Sequence, residues 1–194
     1  ASDVYKRQTL AREGGPQAVT IRAATRAVGV SPTAAYRHFK DQSSLLDSVA
    51  DIATAELIEN LSAAFQDTEG SIVDKLMAAA FAYFDYAHDE QNFFECMMAS
   101  RGFDIPAGLA AATDGPGEDP RGRAAFNFYD YMGQYARAIG QEPDWEFMVQ
   151  NCLAGWSTVH GFTVLCTSGH LASLSDQHKR DIATSVFAAA IRGL

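Results

Sequence analysis

Apolar residues recur every three or four positions along most of this 194-residue chain. The clearest example lies in residues 43–66, where seven of them follow this spacing: Leu45, Val49, Ile52, Ala53, Leu57, Leu61 and Phe65. Such spacing places the apolar side chains along one face of a helix. No segment alternates apolar and polar residues for long enough to predict a strand. The pattern therefore predicts an all-α chain.

The same spacing predicts further helices at 71–89, 91–100, 123–139, 144–168 and 176–192. Asp41 and Ser71 stand where they can cap the helices that follow them. Residues 102–122 are rich in glycine and hold three of the six prolines, which predicts a loop or a lid.

Residues 20–39, TIRAATRAVGVSPTAAYRHF, predict two short helices joined by a tight turn. Gly29 is placed to end the first helix, because glycine takes a left-handed conformation at little cost. Ser31 can then cap a second helix at roughly 32–38, with Pro32 at its first position. This is helix-turn-helix geometry, which places the second helix in the DNA major groove. An ordinary helical hairpin is the alternative interpretation.

The segment GVSPTAAYRHF, followed by KDQSSLLDSVAD, resembles the signature of TetR-type transcriptional repressors. The matching residues are Gly29, Val30, Ser31, Tyr36, His38, Phe39, Leu45 and Leu46. The resemblance implies a three-helix DNA-binding domain at 1–48 and a C-terminal regulatory and dimerisation bundle at 49–194. Gln42 departs from a common lysine near the DNA backbone, and Thr25 departs from a common alanine.

The chain does not begin with Met, and ASDVYKRQ joins abruptly to TLAREGG. Members of the family usually have a longer first helix. We therefore expect an N-terminal truncation that leaves this helix incomplete.

The distribution of charge agrees with a DNA-binding N-terminus. The whole chain carries a net charge of −9, yet residues 1–50 hold seven Lys and Arg against four Asp and Glu. The basic end can lie on phosphates while an acidic body is held away from them. Chance clustering on a solvated surface is the alternative.

The predicted DNA contacts follow from the motif. By resemblance to the family, Tyr36, His38 and Lys40 should mainly hold phosphates. Thr33 and Arg37 are better candidates for base edges, because hydroxyl and guanidinium groups can read them. The complete predicted set, on a palindromic double-stranded operator, is Thr20, Ser31, Thr33, Tyr36, Arg37, His38 and Lys40.

The predicted helix at 144–168 is apolar on all sides, which indicates burial on more than one face. Its segment WSTVHG resembles the W-H-G signature of one C-terminal domain class in the family, in which the last two helices pair across a dimer. Dimerisation also fits the short recognition helix, since two copies double the bases that are read. The predicted homodimer interface consists of Gly161, Val164, Phe187 and Ile191.

A ligand pocket is predicted among the aromatic and methionine residues, which are typical linings of apolar sites and equally typical of a core. Its candidates are Phe81, Phe84, Met97, Met98, Phe126, Tyr129, Met132, Trp156 and His160. For His160, packing at a helix–helix seam is the favoured alternative. The predicted effector is a small, largely apolar molecule that releases the repressor from its operator.

Other functions have little support in the sequence. No run approaches the ~20 apolar residues of a membrane span, and no P-loop, nucleophile elbow or zinc-ligand spacing occurs. Three cysteines at no metal-ligand spacing are typical of reduced thiols in a cytoplasmic protein. We therefore expect no cofactor, metal or catalysis. The competing hypothesis is a helical ligand-binding or dimerisation protein that no longer binds DNA.

Overall fold

The computed structural model describes residues 2–100, 110–112, 114–115 and 117–193, without the side chains of 2–5, 32 and 35. Its regular elements over those residues are helices, with no strand, so the all-α prediction is confirmed. The named helices are α1 (Ser2–Ala18), α2 (Ile21–Val28), α3 (Pro32–Ala35), α4 (Gln42–Asp67), α5 (Ile72–Asp89), α6 (Gln91–Ala99), α7 (Pro120–Ala138), α8 (Trp145–Thr167) and α9 (Asp176–Arg192).

The chain divides into two compact units. The first comprises Ala1–Glu56 with Asp89–Phe103, and the second comprises Leu57–His88 with Asp104–Leu194. The long helix α4 therefore begins in the first unit and ends in the second. The chain returns to the first unit where α5 gives way to α6.

The first unit is built around α1, which packs on both α2 and α6. Gly15 interrupts α1 with a φ of +62°, and Pro16 follows it. Its core includes Ala11, Leu45 and Phe93, each with 0% of its surface exposed.

The helix starts follow local hydrogen bonds. The Asp41 carboxylate accepts the Ser44 N–H at 2.8 Å, which confirms the predicted cap of α4. This bond, the largest contribution, holds the pKa of Asp41 below its usual value. The Ser71 hydroxyl accepts the Asp74 N–H at the start of α5, so its predicted cap is confirmed as well.

Much of the predicted loop at 102–122 lies outside the described residues. Its last part is helical, because α7 begins at Pro120, earlier than the predicted residue 123. The Asp119 carboxylate accepts the N–H groups of Arg121 and Gly122, each at 2.9 Å. An Asp cap followed by proline is a strong helix start, which the apolar spacing alone did not show.

The second unit has an aromatic core. Phe65 on α4 stacks on Tyr131 of α7 with ring centroids 3.8 Å apart. Phe187 on α9 is completely buried and meets Phe81, Phe84 and Phe162 edge to face. The Tyr135 hydroxyl donates to the Ile191 carbonyl at 2.9 Å, which ties α7 to the end of α9.

Candidate DNA-binding surface and apolar cavity

The turn between α2 and α3 has the predicted geometry. Gly29 adopts a φ of +80°, and its N–H donates to the Thr25 carbonyl at 2.9 Å. A Cβ at Gly29 would meet no atom within 4 Å, so it is the backbone conformation, and not a steric neighbour, that favours glycine here. The Ser31 hydroxyl accepts the Ala34 N–H at 3.3 Å, as expected of a cap for α3.

The recognition helix is shorter than predicted. Helix α3 ends at Ala35, and residues 36–38 form a turn in which the Arg37 N–H donates to the Ala34 carbonyl at 3.3 Å. The predicted end at residue 38 is thereby corrected, because the last turn tightens into bonds that span three residues.

Six of the seven predicted DNA contacts lie exposed in this one stretch of chain. They are Ser31, Thr33, Tyr36, Arg37, His38 and Lys40, and Tyr36 exposes 58% of its surface. The seventh, Thr20, is half-buried, and its hydroxyl accepts the Ala23 N–H at 3.1 Å as the cap of α2. A hydroxyl has one hydrogen to donate and two lone pairs to accept with, so this bond leaves capacity for a further contact.

Two cations that sequence reasoning missed lie on α2. Arg22 and Arg26 are exposed and four residues apart, so they share one face of the helix. Residues 14–40 contain no Asp or Glu, so no carboxylate of this segment neutralises them. The absence of acidic residues over 27 positions was the signal that could have identified this face.

Thr25 is accommodated inside the motif. It is 4% exposed, and its hydroxyl donates to the Arg22 carbonyl at 3.1 Å. A buried hydroxyl with a hydrogen-bond partner costs little. The departure from the usual alanine therefore leaves the fold of α2 intact.

The second unit contains a narrow apolar cavity of about 70 Å³. Five helices contribute to its wall, which is formed by Leu61, Leu76, Ala79, Ala80, Tyr83, Phe128, Tyr131, Met132, Gly155, Trp156, Val159, Phe187, Ala190 and Ile191. The Tyr131 hydroxyl at this wall donates to the Ser62 hydroxyl at 3.2 Å.

The polar corner of the cavity consists of the lining residues Tyr83 and Trp156, and both contact His160, which lies outside the lining. The Tyr83 hydroxyl lies 2.9 Å from Nδ1 of His160, and the His160 ring stacks on Trp156 with centroids 4.7 Å apart. Burial raises the pKa of Tyr83, while its hydrogen bond with Trp156 acts in the opposite direction. Burial also lowers the pKa of His160 below its usual value of 6.5. Both groups are therefore uncharged at neutral pH.

The structure places the predicted pocket residues in several environments. Met132 and Trp156 line the cavity, and His160 lies behind Tyr83. Phe81 and Phe84 instead pack against Phe187 in the aromatic core. Phe126 and Tyr129 are half-buried on α7 but do not line the cavity. Met97 and Met98 lie on α6, in the other compact unit.

Phe128 and Tyr131 line the cavity and were missed by sequence reasoning. They lie on α7 beside the predicted Phe126 and Tyr129, but successive helical residues are rotated by about 100°. On a helix with aromatic residues on several sides, the spacing does not reveal which face meets the cavity. No sequence signal distinguishes the two sets.

The four residues of the predicted dimer interface differ in their exposure within one subunit, and the interface stays a prediction. Phe187 and Ile191 are only 0% and 7% exposed within one subunit, because the subunit's own core covers them. Gly161 and Val164 are half-buried, and a Cβ at Gly161 would meet no atom within 4 Å. Leu165 and Ile182 are 40% and 39% exposed on the last two helices.

The part of the chain that the structure describes lacks two further kinds of feature. No helix there has the length and apolar character needed to cross a lipid bilayer. Likewise, no cluster of three or more potential metal ligands occurs among those residues.

Comparison with protein families gives two matches. Residues 9–49 match the model of the bacterial regulatory proteins of the tetR family, and residues 76–194 match a tetracyclin repressor-like C-terminal domain. No curated protein matches the chain.

Solved structures share the fold. A protein of unknown function from a Rhodococcus species aligns with a TM-score of 0.72 and 20% identity, covering 100% of this chain and 93% of its own. The TetR family transcriptional regulator PfmR from Thermus thermophilus aligns with a TM-score of 0.60 and 17% identity, covering 100% and 99%. These similarities extend over both compact units.

Proposed function

Since the chain belongs to the TetR family of DNA-binding transcriptional regulators, we propose that it is a repressor released from its operator by a small, uncharged, largely apolar molecule. The observation that carries this proposal is the cavity of the second unit. Its wall is almost entirely apolar, and its polar corner is uncharged at neutral pH.

The chemistry of the wall selects the effector. A charged molecule would lose its hydration at this wall, and no opposite charge lines the cavity to compensate. An apolar molecule gains by leaving water. A single hydroxyl or carbonyl group could exchange hydrogen bonds at the Tyr83–His160 corner.

The volume limits the effector's size. Drug-sized ligands occupy pockets of roughly 300–1,000 Å³, against about 70 Å³ here. The effector is therefore very small, or the wall moves when it binds. Met132 is the side chain best suited to such movement, because methionine is flexible and repacks readily.

The DNA contacts are those of the exposed stretch after Gly29, with Thr20 at its border. Tyr36, His38 and Lys40 hold phosphates, while Thr33 and Arg37 reach base edges. We add Arg22 and Arg26 as phosphate contacts on the face of α2 that lacks carboxylates. Two subunits, paired through exposed residues of α8 and α9 such as Leu165 and Ile182, would read a palindrome. Its half-sites would be about 34–36 Å apart. We also propose that the regulator resides in the cytoplasm, where its DNA is.

The physical route of control runs through α4. This single helix begins next to the recognition turn and carries Leu61 at the cavity wall. An effector that fits one position of α4 better shifts the population toward it. The shift can be no larger than the effector's difference in affinity for the two states.

A matched series of probes tests the effector class. The DNA probe is a duplex selected by the protein from a random library. The ligands are 1-hexanol, hexanoate and hexylammonium, which share a chain length and differ in charge. We expect only the neutral alcohol to change Trp156 fluorescence, in a Trp145→Phe background, and to lower the fraction of bound duplex in a gel shift.

Ala79→Leu provides the control, because it adds a larger side chain at the cavity wall. This variant should keep its helical circular dichroism and its DNA affinity while losing the response to 1-hexanol. Equal responses to all three ligands, or no response to the alcohol, would refute the proposed effector class. Failure of the wild-type chain to select any duplex would instead favour a ligand-binding protein without DNA activity.

A further inference from the structure

Arg12 on α1 contacts both chain segments by which the first compact unit continues into the second. The first unit extends along α4 as far as Glu56, and the chain re-enters it at Asp89. Arg12 Nη2 lies 2.6 Å from Glu56 Oε2, and Arg12 Nε lies 2.9 Å from Glu90 Oε2. One guanidinium thus joins two carboxylates, and each of them lies next to a point where the chain passes from one unit to the other.

Further contacts fasten Arg12 to the start of α6. Its guanidinium carbon lies 4.1 Å from the ring centroid of Phe93, which is completely buried. The Asn92 side chain donates to the Arg12 carbonyl at 2.8 Å. The planar guanidinium has a fixed fork of donors, so it holds a defined orientation between its partners.

We propose that Arg12 is the positioning residue that couples cavity occupancy to the arrangement of the DNA-binding helices. This inference rests on the proposed function, because it assumes that the cavity binds an effector that controls DNA binding. In addition to the route along α4, it proposes a second route that runs along α5 to Glu90. Arg12 is the side chain at which the two routes meet.

The mechanism follows from the helices that carry the carboxylates. Helix α5 contributes Leu76, Ala79, Ala80 and Tyr83 to the cavity wall, and Glu90 directly follows its last residue. Helix α4 contributes Leu61, five residues after Glu56. A shift of either helix moves its carboxylate relative to the guanidinium, and hydrogen bonds weaken steeply as distance and angle change. Arg12 then follows the partner it retains and tilts α1, which packs on α2 of the helix-turn-helix.

If the role of Arg12 were purely structural, neutralising one of its carboxylate partners would lower the stability of the protein. The side chains of Arg12, Glu56 and Glu90 are each about one-third exposed, at 33–35%. Ion pairs with this much solvent access contribute little to stability. Neutralising one carboxylate should therefore leave folding nearly unchanged, and the coupling is the property that changes.

The test uses DNA as the probe, because coupling between two sites is reciprocal. In a Trp145→Phe background, Trp156 at the cavity wall reports on the second unit while the first unit binds a duplex selected from a random library. Glu56→Gln and Glu90→Gln each remove one arm of the junction. Glu59→Gln and Asp89→Asn remove the same charge from exposed positions nearby and are the matched controls.

We expect the DNA-induced change of Trp156 fluorescence to fall about twofold or more in Glu56→Gln and Glu90→Gln and to persist in both controls. Thermal unfolding and duplex affinity should match those of the controls. The double variant should resemble Arg12→Gln, since both lose the same junction. A full fluorescence change in Glu56→Gln and Glu90→Gln would overturn the proposed role of Arg12 and leave the proposed function standing. If the wild-type protein binds the duplex without any change at Trp156, the proposed control by the cavity fails together with this inference.

Discussion

The two compact units place function in opposite environments. The proposed DNA-binding surface consists of exposed polar and basic side chains from one short stretch of chain: Ser31, Thr33, Tyr36, Arg37, His38 and Lys40. The cavity consists of buried apolar side chains contributed by five helices far apart in sequence. The first site depends on turn geometry and charge, which local sequence encodes. The second depends on how helices pack, which no short segment encodes.

The contrast is clearest at α9. Phe187 was expected to meet a second subunit, yet it lies at 0% exposure among three aromatic rings of its own chain. Phe187→Ala should therefore lower the free energy of unfolding by about 3–5 kcal/mol, the usual cost of emptying such a site. Urea unfolding followed by circular dichroism measures this loss.

Trp145→Ala serves as the comparison, because Trp145 is 48% exposed. It should change the unfolding free energy by about 0.5 kcal/mol or less. If Phe187→Ala instead stays fully stable and becomes monomeric, the original interface prediction is right and the core assignment is wrong.

The basic face of α2 gives the second prediction. Arg22→Gln and Arg26→Gln should each weaken binding to all duplexes alike. Each should also reduce the slope of the logarithm of the association constant against the logarithm of salt concentration by the amount expected for about one phosphate contact. Titrations at several salt concentrations, with selected and random duplexes, measure both effects. Arg137→Gln, at an exposed arginine of α7 in the other unit, is the control. A change in sequence preference without a change in salt slope would place these arginines on bases instead of phosphates.

The same contrast explains how much could be predicted from sequence. Gly29, Ser31 and Asp41 act through neighbours within a few residues, so their turn and caps were predictable. Phe128 and Tyr131 line the cavity because α7 presents one particular face to α4, α5, α8 and α9. Apolar spacing shows that a helix has buried faces but does not assign each face to a neighbour. The length of α3 was overestimated for a related reason. Its last turn depends on backbone hydrogen bonds that the side-chain pattern does not indicate.

A smaller effect is expected at the recognition turn. Gly29→Ala should destabilise the first unit by roughly 1–2 kcal/mol, because φ is +80° there and a Cβ strains that conformation. Gly29→Asn should cost less, since asparagine tolerates left-handed backbone better. Hydrogen exchange of α2 amides reports this local stability. Equal losses in both variants would contradict a backbone origin, because a Cβ at this position has no steric neighbour within 4 Å.

The smallest effect at neutral pH concerns the cysteines, one in the first unit and two in the second. Burial raises the pKa of Cys96 to about 11 and that of Cys152 to about 12, and it raises the pKa of Cys166 as well. The reactive thiolate is therefore scarce in the folded chain at about pH 8. A disulfide reagent such as Ellman's should modify all three thiols rapidly in urea and slowly in the native protein, with no loss of DNA binding.

The same pKa shifts give a stability change of known sign at high pH. Unfolded thiols ionise near about pH 8.5, whereas the folded ones keep their protons to higher pH. Above the unfolded pKa the native state binds more protons, so stability should fall as pH rises from about 8.5 toward the folded values. Urea unfolding at about pH 7.5 and about pH 9.5, on either side of the unfolded pKa, measures this trend, with a triple Cys→Ala variant as the control. Rapid native modification of one thiol, or an identical trend in the control, would show that burial does not protect these groups.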